Sequence, residues 1–560
     1  MLKKALIGLI ILSIGFFIYT TYFKDNSMEY VQNNKIKSLD VKYTNGIYTL
    51  RAKEEIDDTE TNTMSFNDVI VEYAKSYLKG DHAVKDELDN VTITGNVQGE
   101  NPTNGWLVKG QELIYHKDLD RLNSNKPVEA YNSIKKLKIS GNYFESDVSF
   151  DEILLDGNVN TVTDNFELVG EKAYYKGEIL ELIGNVETEI KSLNKTNDKE
   201  NSVVGVFPGA IYDTKKRILT ATGAYQMFYK DFIINANELI YDENTDIIIA
   251  RGNVTINGTN LNGTFPEAKF NMKEDKIYLK GPINAVYNEL NFVGENGVYD
   301  NGKETFETIG KVVVTSGEDI LNAGRVFYTK KTGIVEIFGE KEGFTYKGIG
   351  RELKGTYAKF YVDKNQIEVP GKFTFKYEAS KEDKVDGTGE KLILDTVTQK
   401  GTAQKPILHQ GKDNIKGNLG ELDLLNGVYK LKGKVVGNYG NYIVNSEEVD
   451  YYESNGMVAI NKAYTINEKV GKFKIWGNDV KFDTIKYLVT TEGKVNFSNG
   501  TMTAYGVGLS HNLQTKEGEF KKDFYGKALS SGVELTGDKV KFKEDSFVTL
   551  SQNVKGNHKD

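Results

Sequence analysis

Apolar and polar residues alternate with a period of two along most of the chain, and a glycine recurs within the alternation. In ELIGNVETEI one parity carries Leu182, Gly184, Val186 and Ile190; in IIIARGNVTI it carries Ile248, Ala250, Gly252, Val254 and Ile256. QIEVPGKFTF repeats the pattern with Ile367, Val369, Gly371, Phe373 and Phe375, and YLVTTEGKVNF with Val489, Gly493, Val495 and Phe497. The other parity holds Glu, Asn, Lys, Arg and Thr. Successive strand side chains point to opposite faces, so the pattern predicts strands with one apolar and one wet face.

The glycine is usually followed by Asn or Lys and then an apolar residue, as at Gly95, Gly157, Gly184, Gly252, Gly310, Gly371, Gly433 and Gly493. Gly223, Gly252, Gly281, Gly310 and Gly339 follow one another at intervals of 29 residues. A fixed period of this size marks a repeat architecture. Glycine weakens a strand, so its place on the apolar parity needs a reason, such as a bend or a close backbone approach. A bend at one place in every layer would fold the strands over a shared crease and leave an apolar trough inside. Between glycines come an aromatic and a polar turn, as in Tyr212-Asp213-Thr214-Lys215, Tyr241-Asp242-Glu243-Asn244 and Tyr299-Asp300-Asn301-Gly302. Asp, Asn and Gly supply hairpin turns, so each unit reads as two strand passes, with the aromatics packing at strand ends.

The repeat is legible from about residue 86. Residues 25–40 read as a polar linker, and residues 65–80 (SFNDVIVEYAKSYLKG) fit either a short amphipathic helix or an irregular strand. The polar stretches at 192–201 and 381–388 are places where one trough could divide into two. At the start, Lys3 and Lys4 precede an uncharged run of 19 residues, ALIGLIILSIGFFIYTTYF. As a helix it spans roughly 28 Å, enough for a bilayer core. The lysines place the N-terminus in the cytoplasm and the rest outside. No small-x-small cleavage site follows, which favours a retained anchor over a signal peptide.

Composition narrows the function classes. The 560 residues include 55 Gly, 7 Pro, 33 Tyr and 27 Phe, a balance suited to strands and tight turns rather than disorder. A net charge of −9 argues against a nucleic-acid partner. The absence of cysteine excludes disulfides, thiolate metal sites and cysteine nucleophiles. The five histidines, His82, His116, His409, His511 and His558, show no metal-ligand spacing. There is no phosphate-cradling GxxxxGK[ST] loop and no GxSxG. The expectation is a protein that is not an enzyme, with no metal and no cofactor.

The cytoplasmic tip, the single span and repeats of the form A/L-x-Y-D-x(4–6)-h-x-h-x-G-N-V-x-h resemble the lipopolysaccharide-transport bridge proteins, the LptC and LptA (OstA-like) families. Residues 236–254 (ANELIYDENTDIIIARGNV), 173–186 (AYYKGEILELIGNV) and 106–115 (WLVKGQELIY) carry the likeness best, and it extends over about 91–553. The resemblance implies an extended antiparallel β-jellyroll or "taco" repeat array whose apolar groove holds acyl chains. It also implies an inner-membrane ABC-type lipid exporter as supplier, and a periplasmic or outer-membrane β-jellyroll partner joined by strand-edge pairing. Members of these families are typically much shorter than this chain.

The sequence therefore predicts an all-β fold with one N-terminal transmembrane α-helix: an anchor at 1–25, a linker and the start of the periplasmic region at 26–85, and the β-repeat array at 86–560. The function it suggests is an inner-membrane-anchored periplasmic bridge, with one span and the bulk of the chain in the periplasm, shielding lipopolysaccharide or another acyl lipid on its way to the outer membrane. Two alternatives stand beside it: an AsmA/TamB-like phospholipid conduit, and a structural or adhesive β-solenoid with a dry core. The residues expected to line a lipid groove are Leu182, Val186, Ile248, Val254, Ile256, Leu279, Ile283, Val312, Val314, Ile337, Phe373 and Phe375.

Overall fold

The computed structural model describes residues 28–32, 35–44, 46–191, 202–348, 351–378, 384–544 and 546–558. The anchor expected over residues 1–25 lies outside them. Among the described residues no helix is long and apolar enough to cross a membrane. They form 45 strands, three one-turn 3-10 helices and no α-helix. The chain divides into two compact units, Met1–Gly281 and Pro282–Asp560. The division falls inside the strand Lys276–Tyr287. In each unit the strands pair antiparallel with their neighbours in sequence, as a meander.

Every long strand turns a corner near its middle, so each unit is a sheet creased into two facing leaves. The corner is built in two alternating ways. In Ile247–Asn257, Ile248, Ala250, Val254 and Ile256 are all buried, with Gly252 and Asn253 between them at φ 74° and 52°. In its partner Phe232–Asp242 the buried residues are Phe232, Ile234, Ala236, Leu239 and Tyr241, so the inward parity switches across the corner. The ladder records the difference: Asn235 pairs with Thr255 and Glu238 with Arg251, which leaves two residues opposite three. The extra residue is a β-bulge. The same bulge recurs at Ile183/Val186 and Ile309/Val312.

This corrects the expected position of the glycine. Gly252 shares the parity of the apolar residues, yet it is exposed at the outside of the corner. Glycine is used there because the left-handed conformation is costly for other residues. A Cβ on Gly252 would also stand 3.2 Å from the Asn237 side chain. Gly252→Val is therefore expected to lower stability by about 1–2 kcal/mol, seen as a lower denaturant midpoint at unchanged slope. Asn253→Gly is expected to leave the midpoint nearly unchanged.

The sheet also begins earlier than the glycine repeat. Strands Lys35–Thr44, Thr49–Asp58, Thr63–Glu72 and Tyr77–Lys85 occupy much of the region read as linker or left open. Residues 65–80 are strand, turn and strand: Val69 and Val71 are buried alternately, and the Tyr73 N–H donates to the Ser76 carbonyl at 2.7 Å. The early corners use Asp40 (φ 53°) and Asp68 (φ 50°) in place of glycine, which is why the repeat was not visible there. The ladders on both sides of 192–201 and 379–383 are continuous, with Ile190 opposite Val203 and Glu378 opposite Lys384. Neither polar stretch interrupts the sheet.

Candidate functional site

With no α-helix among the described elements to cover them, the inner faces of the two leaves can be buried only against each other. Rings meet across the gap. In the first unit Trp106 lies edge-on to Tyr175 at 5.1 Å, and Phe166 to Tyr212 at 4.9 Å. In the second, Tyr439 meets Phe482 at 5.3 Å and Phe473 stacks on His511 at 5.3 Å. The rims opposite the crease are clasped by polar contacts. The Ser76 hydroxyl donates to the Val148 carbonyl at 2.6 Å, Thr163 to the Glu243 carboxylate at 2.9 Å, and Tyr442 to the Leu513 carbonyl at 2.8 Å.

In each unit the aromatics that precede the polar turns form a row along the rim of a leaf. Tyr212, Tyr241 and Phe270 stand there in the first unit, and Tyr299, Tyr328, Tyr451 and Phe482 in the second; each is at most 2 % exposed. Burial holds the hydroxyls of Tyr212 and Tyr241 above the ordinary tyrosine range, and the neighbouring Glu243 and Asp246 carboxylates add to it. A phenol kept neutral in this way can donate to a carboxylate, as Tyr212 does to Glu243 at 2.6 Å.

Leu182, Val186, Ile248, Val254, Ile256, Leu279, Ile283, Val312, Val314, Ile337, Phe373 and Phe375 all lie on the inner face, none more than 7 % exposed. They do not converge on one point; they are spread along the inner face of both units. Phe375 also lines a cavity of about 270 Å³ in the second unit. Leu353 and Phe375 form its wall on one leaf, and Leu392, Leu394, Leu422 and Leu424 on the other. Val397, 69 % exposed, also lines it, so the cavity reaches the surface.

The cavity has a cause in the sequence. Passes that run into a polar turn carry a rim aromatic at Tyr299, Tyr328, Tyr451 and Phe482, but two of them carry Leu394 and Leu422, and the pass between these has Gly401 on its inward parity. Phe375 does not reach across, because its ring lies on Gly387 of the paired strand; a Cβ there would stand 2.2 Å from it. Side-chain volume is thus missing from one leaf and turned aside on the other.

The cavity's rim is polar. Tyr346 is hydrogen-bonded to Asp319, and burial followed by that carboxylate pushes its hydroxyl above the ordinary range. The Arg351 guanidinium donates across the gap to the Leu424 carbonyl. Glu352 is held by Lys354 at 2.7 Å and Lys347 at 3.5 Å, and the hydrogen bond from Lys354 lowers its carboxyl first of all. The Gln399 amide oxygen is buried and accepts no hydrogen bond.

No protein-family model matches the chain. No curated protein matches it. Among solved structures it is similar to LptH, the LptA homologous periplasmic component of the conserved lipopolysaccharide transport device from Pseudomonas aeruginosa. The identity is 16 %, over 21 % of this chain and 82 % of that one, with a TM-score of 0.19.

Among the described residues no three His, Asp or Glu side chains are grouped to hold a metal ion. His82 and His116 bond to Asn67 and Asn123, each at 2.9 Å, and His511 sits 2.9 Å from Glu544 within an aromatic cluster. Sequence reasoning missed the leucines of the cavity and its polar rim. The usable signal was the loss of the rim aromatic at Leu394 and Leu422.

Proposed function

We propose that the protein is a lipid carrier of the bridge type, taking acyl chains of lipopolysaccharide between the leaves of its creased sheet. The observation that carries this reading is the inward apolar face, repeated in register through both units. Acyl chains in water cost about 0.8 kcal/mol per methylene, so an apolar path lowers the barrier to moving them, and no side chain needs to react. The resemblance of its repeats to the LptC and LptA families supports the choice of lipid. On this reading the apolar run near the N-terminus holds the chain in the inner membrane, the sheet stands in the periplasm, an ABC-type exporter supplies the lipid, and a β-jellyroll partner receives it at a free strand edge.

A second reading, a structural repeat with a dry core, is favoured by the ring contacts that fill much of the space between the leaves. Photocrosslinking in cells separates the two. A photoreactive residue at Ile256, which is fully buried, is expected to give a lipopolysaccharide adduct; one at its half-buried neighbour Thr255 is not. A phospholipid adduct at Ile256 would point to the AsmA/TamB-like alternative. The absence of any lipid adduct at Ile256, Val312 and Phe373 would leave the dry repeat as the better account.

A further inference from the structure

We propose that the cavity between Phe375 and Leu394 is a binding site for a single-chain anionic amphiphile, with its tail among the leucines and its head group on Arg351. The inference rests on the lipid-carrier reading for the idea that this interior takes acyl chains, but it is carried by features of this one place. Elsewhere in the second unit, passes that run into a polar turn carry a rim aromatic, as at Tyr299, Tyr328, Tyr451 and Phe482; Leu394 and Leu422 break that series, and Gly401 lies between them. The space left is about 270 Å³, against the roughly 150 Å³ apolar cavity that suffices to hold a benzene. It is reached from the side of Val397 and closed by apolar walls at depth, so a chain would enter tail first.

The head-group chemistry follows from the rim. Two acidic groups face the cavity, and both are engaged: Glu352 by Lys347 and Lys354, and Asp319 by the Tyr346 hydroxyl. Two cations, Arg351 and Lys376, also line it, and the Arg351 guanidinium donates across the gap to the Leu424 carbonyl. A hydrogen bond from guanidinium to a carboxylate or phosphate is about twice as strong as one between neutral groups, and the planar fork of arginine matches such anions in bidentate fashion. An anionic head can therefore take Arg351 from the Leu424 carbonyl, which also loosens the contact between the two rims. The buried Gln399 oxygen offers an acceptor to a hydroxyl carried near the head.

The test uses the full chain and three probes with one tail: dodecanoate, dodecanol and dodecyltrimethylammonium, measured by titration calorimetry. Dodecanoate is expected to bind best and the cation worst. Leu394→Tyr and Leu422→Tyr introduce the rim aromatic that Tyr299, Tyr328 and Tyr451 supply before other polar turns, so they should fill the cavity while keeping or raising the unfolding midpoint. Each is expected to weaken dodecanoate binding at least about tenfold, or about 1.4 kcal/mol. Arg351→Gln is expected to weaken dodecanoate by about tenfold and leave dodecanol within about twofold. Unchanged dodecanoate affinity in both tyrosine variants would overturn the site. An equal loss of all three probes in Arg351→Gln, or equal wild-type affinity for anion and cation, would overturn the head-group assignment. Lipid adducts at Ile256 without dodecanoate binding here would leave the carrier reading standing and this site refuted. Dodecanoate binding that the tyrosine variants abolish, with no adduct at Ile256, would do the reverse.

Discussion

Above about pH 10, the ordinary tyrosine value, the protein is expected to unfold steeply, and tyrosinate absorbance should appear together with the loss of β-sheet circular dichroism. Tyr212, Tyr229 and Tyr241 in the first unit are at most 5 % exposed, as are Tyr429, Tyr439 and Tyr464 in the second. Burial raises the hydroxyl of each, and nearby carboxylates add to it, Glu243 at Tyr212 and Glu453 at Tyr429 among them. In the unfolded chain these phenols release their protons near the ordinary value; in the folded chain they keep them. The unfolded state then binds fewer protons, so stability falls as pH rises. The contribution is fully present below about pH 10 and is lost as pH climbs toward the folded values. Each group costs about 1.4 kcal/mol per pH unit, so three in one unit cost about 4 kcal/mol per pH unit, a large part of an ordinary domain's stability. If tyrosinate forms near pH 10 while the dichroism stays intact, these rings are not enclosed between the leaves.

Trp106→Ala is expected to cost about 3–5 kcal/mol, the range for removing a large aromatic from a core. Trp106 is 1 % exposed and belongs to the leaf opposite Tyr175, whose ring it meets at 5.1 Å. Tyr175 is in turn capped by Lys135, whose ammonium lies 4.9 Å from the ring centre and 2.8 Å from Glu178. Removing the indole leaves a hole in the contact that holds the leaves together, and neither leaf can close it without bending. The measurement is the denaturant midpoint followed by sheet dichroism, with Leu119→Ala as reference. Leu119 is 68 % exposed, and its truncation should change stability by no more than about 0.5 kcal/mol. A Trp106→Ala cost as small as that of the reference would mean that the leaves do not depend on their aromatic contacts.

The two results bear on what a lipid would have to do. A chain passing along the inner face must displace ring contacts such as Trp106 with Tyr175, or travel where the rings are absent. At Leu394 and Leu422 the rim aromatics of one leaf are missing, and there the rim is held by Arg351 and the Leu424 carbonyl.

Much of the fold could be read from the chain because strand periodicity is local. The alternation around Val254 and Val312 announces strands and their inner face without reference to anything distant, and Tyr212-Asp213 or Tyr241-Asp242 announces the turns. The crease was legible as a repeat, but not as geometry. Only the backbone shows that Gly252 and Asn253 both adopt positive φ and so place the glycine outside, and that the facing strand spends one residue fewer between Ala236 and Leu239. The early strands escaped notice because Asp40 and Asp68 turn the corner without glycine.

By itself, then, the sequence determined the strand content, the turns, the apolar face and the repeat, since each depends on residues a few positions apart. The tertiary structure decided which of these residues meet. Trp106 and Tyr175 lie on opposite leaves and come together only when the sheet folds over its crease, and Leu394 and Leu353 then face the same cavity. Whether the space between two leaves is filled or hollow depends on the summed reach of side chains from both, and period and parity along one strand carry no measure of that sum.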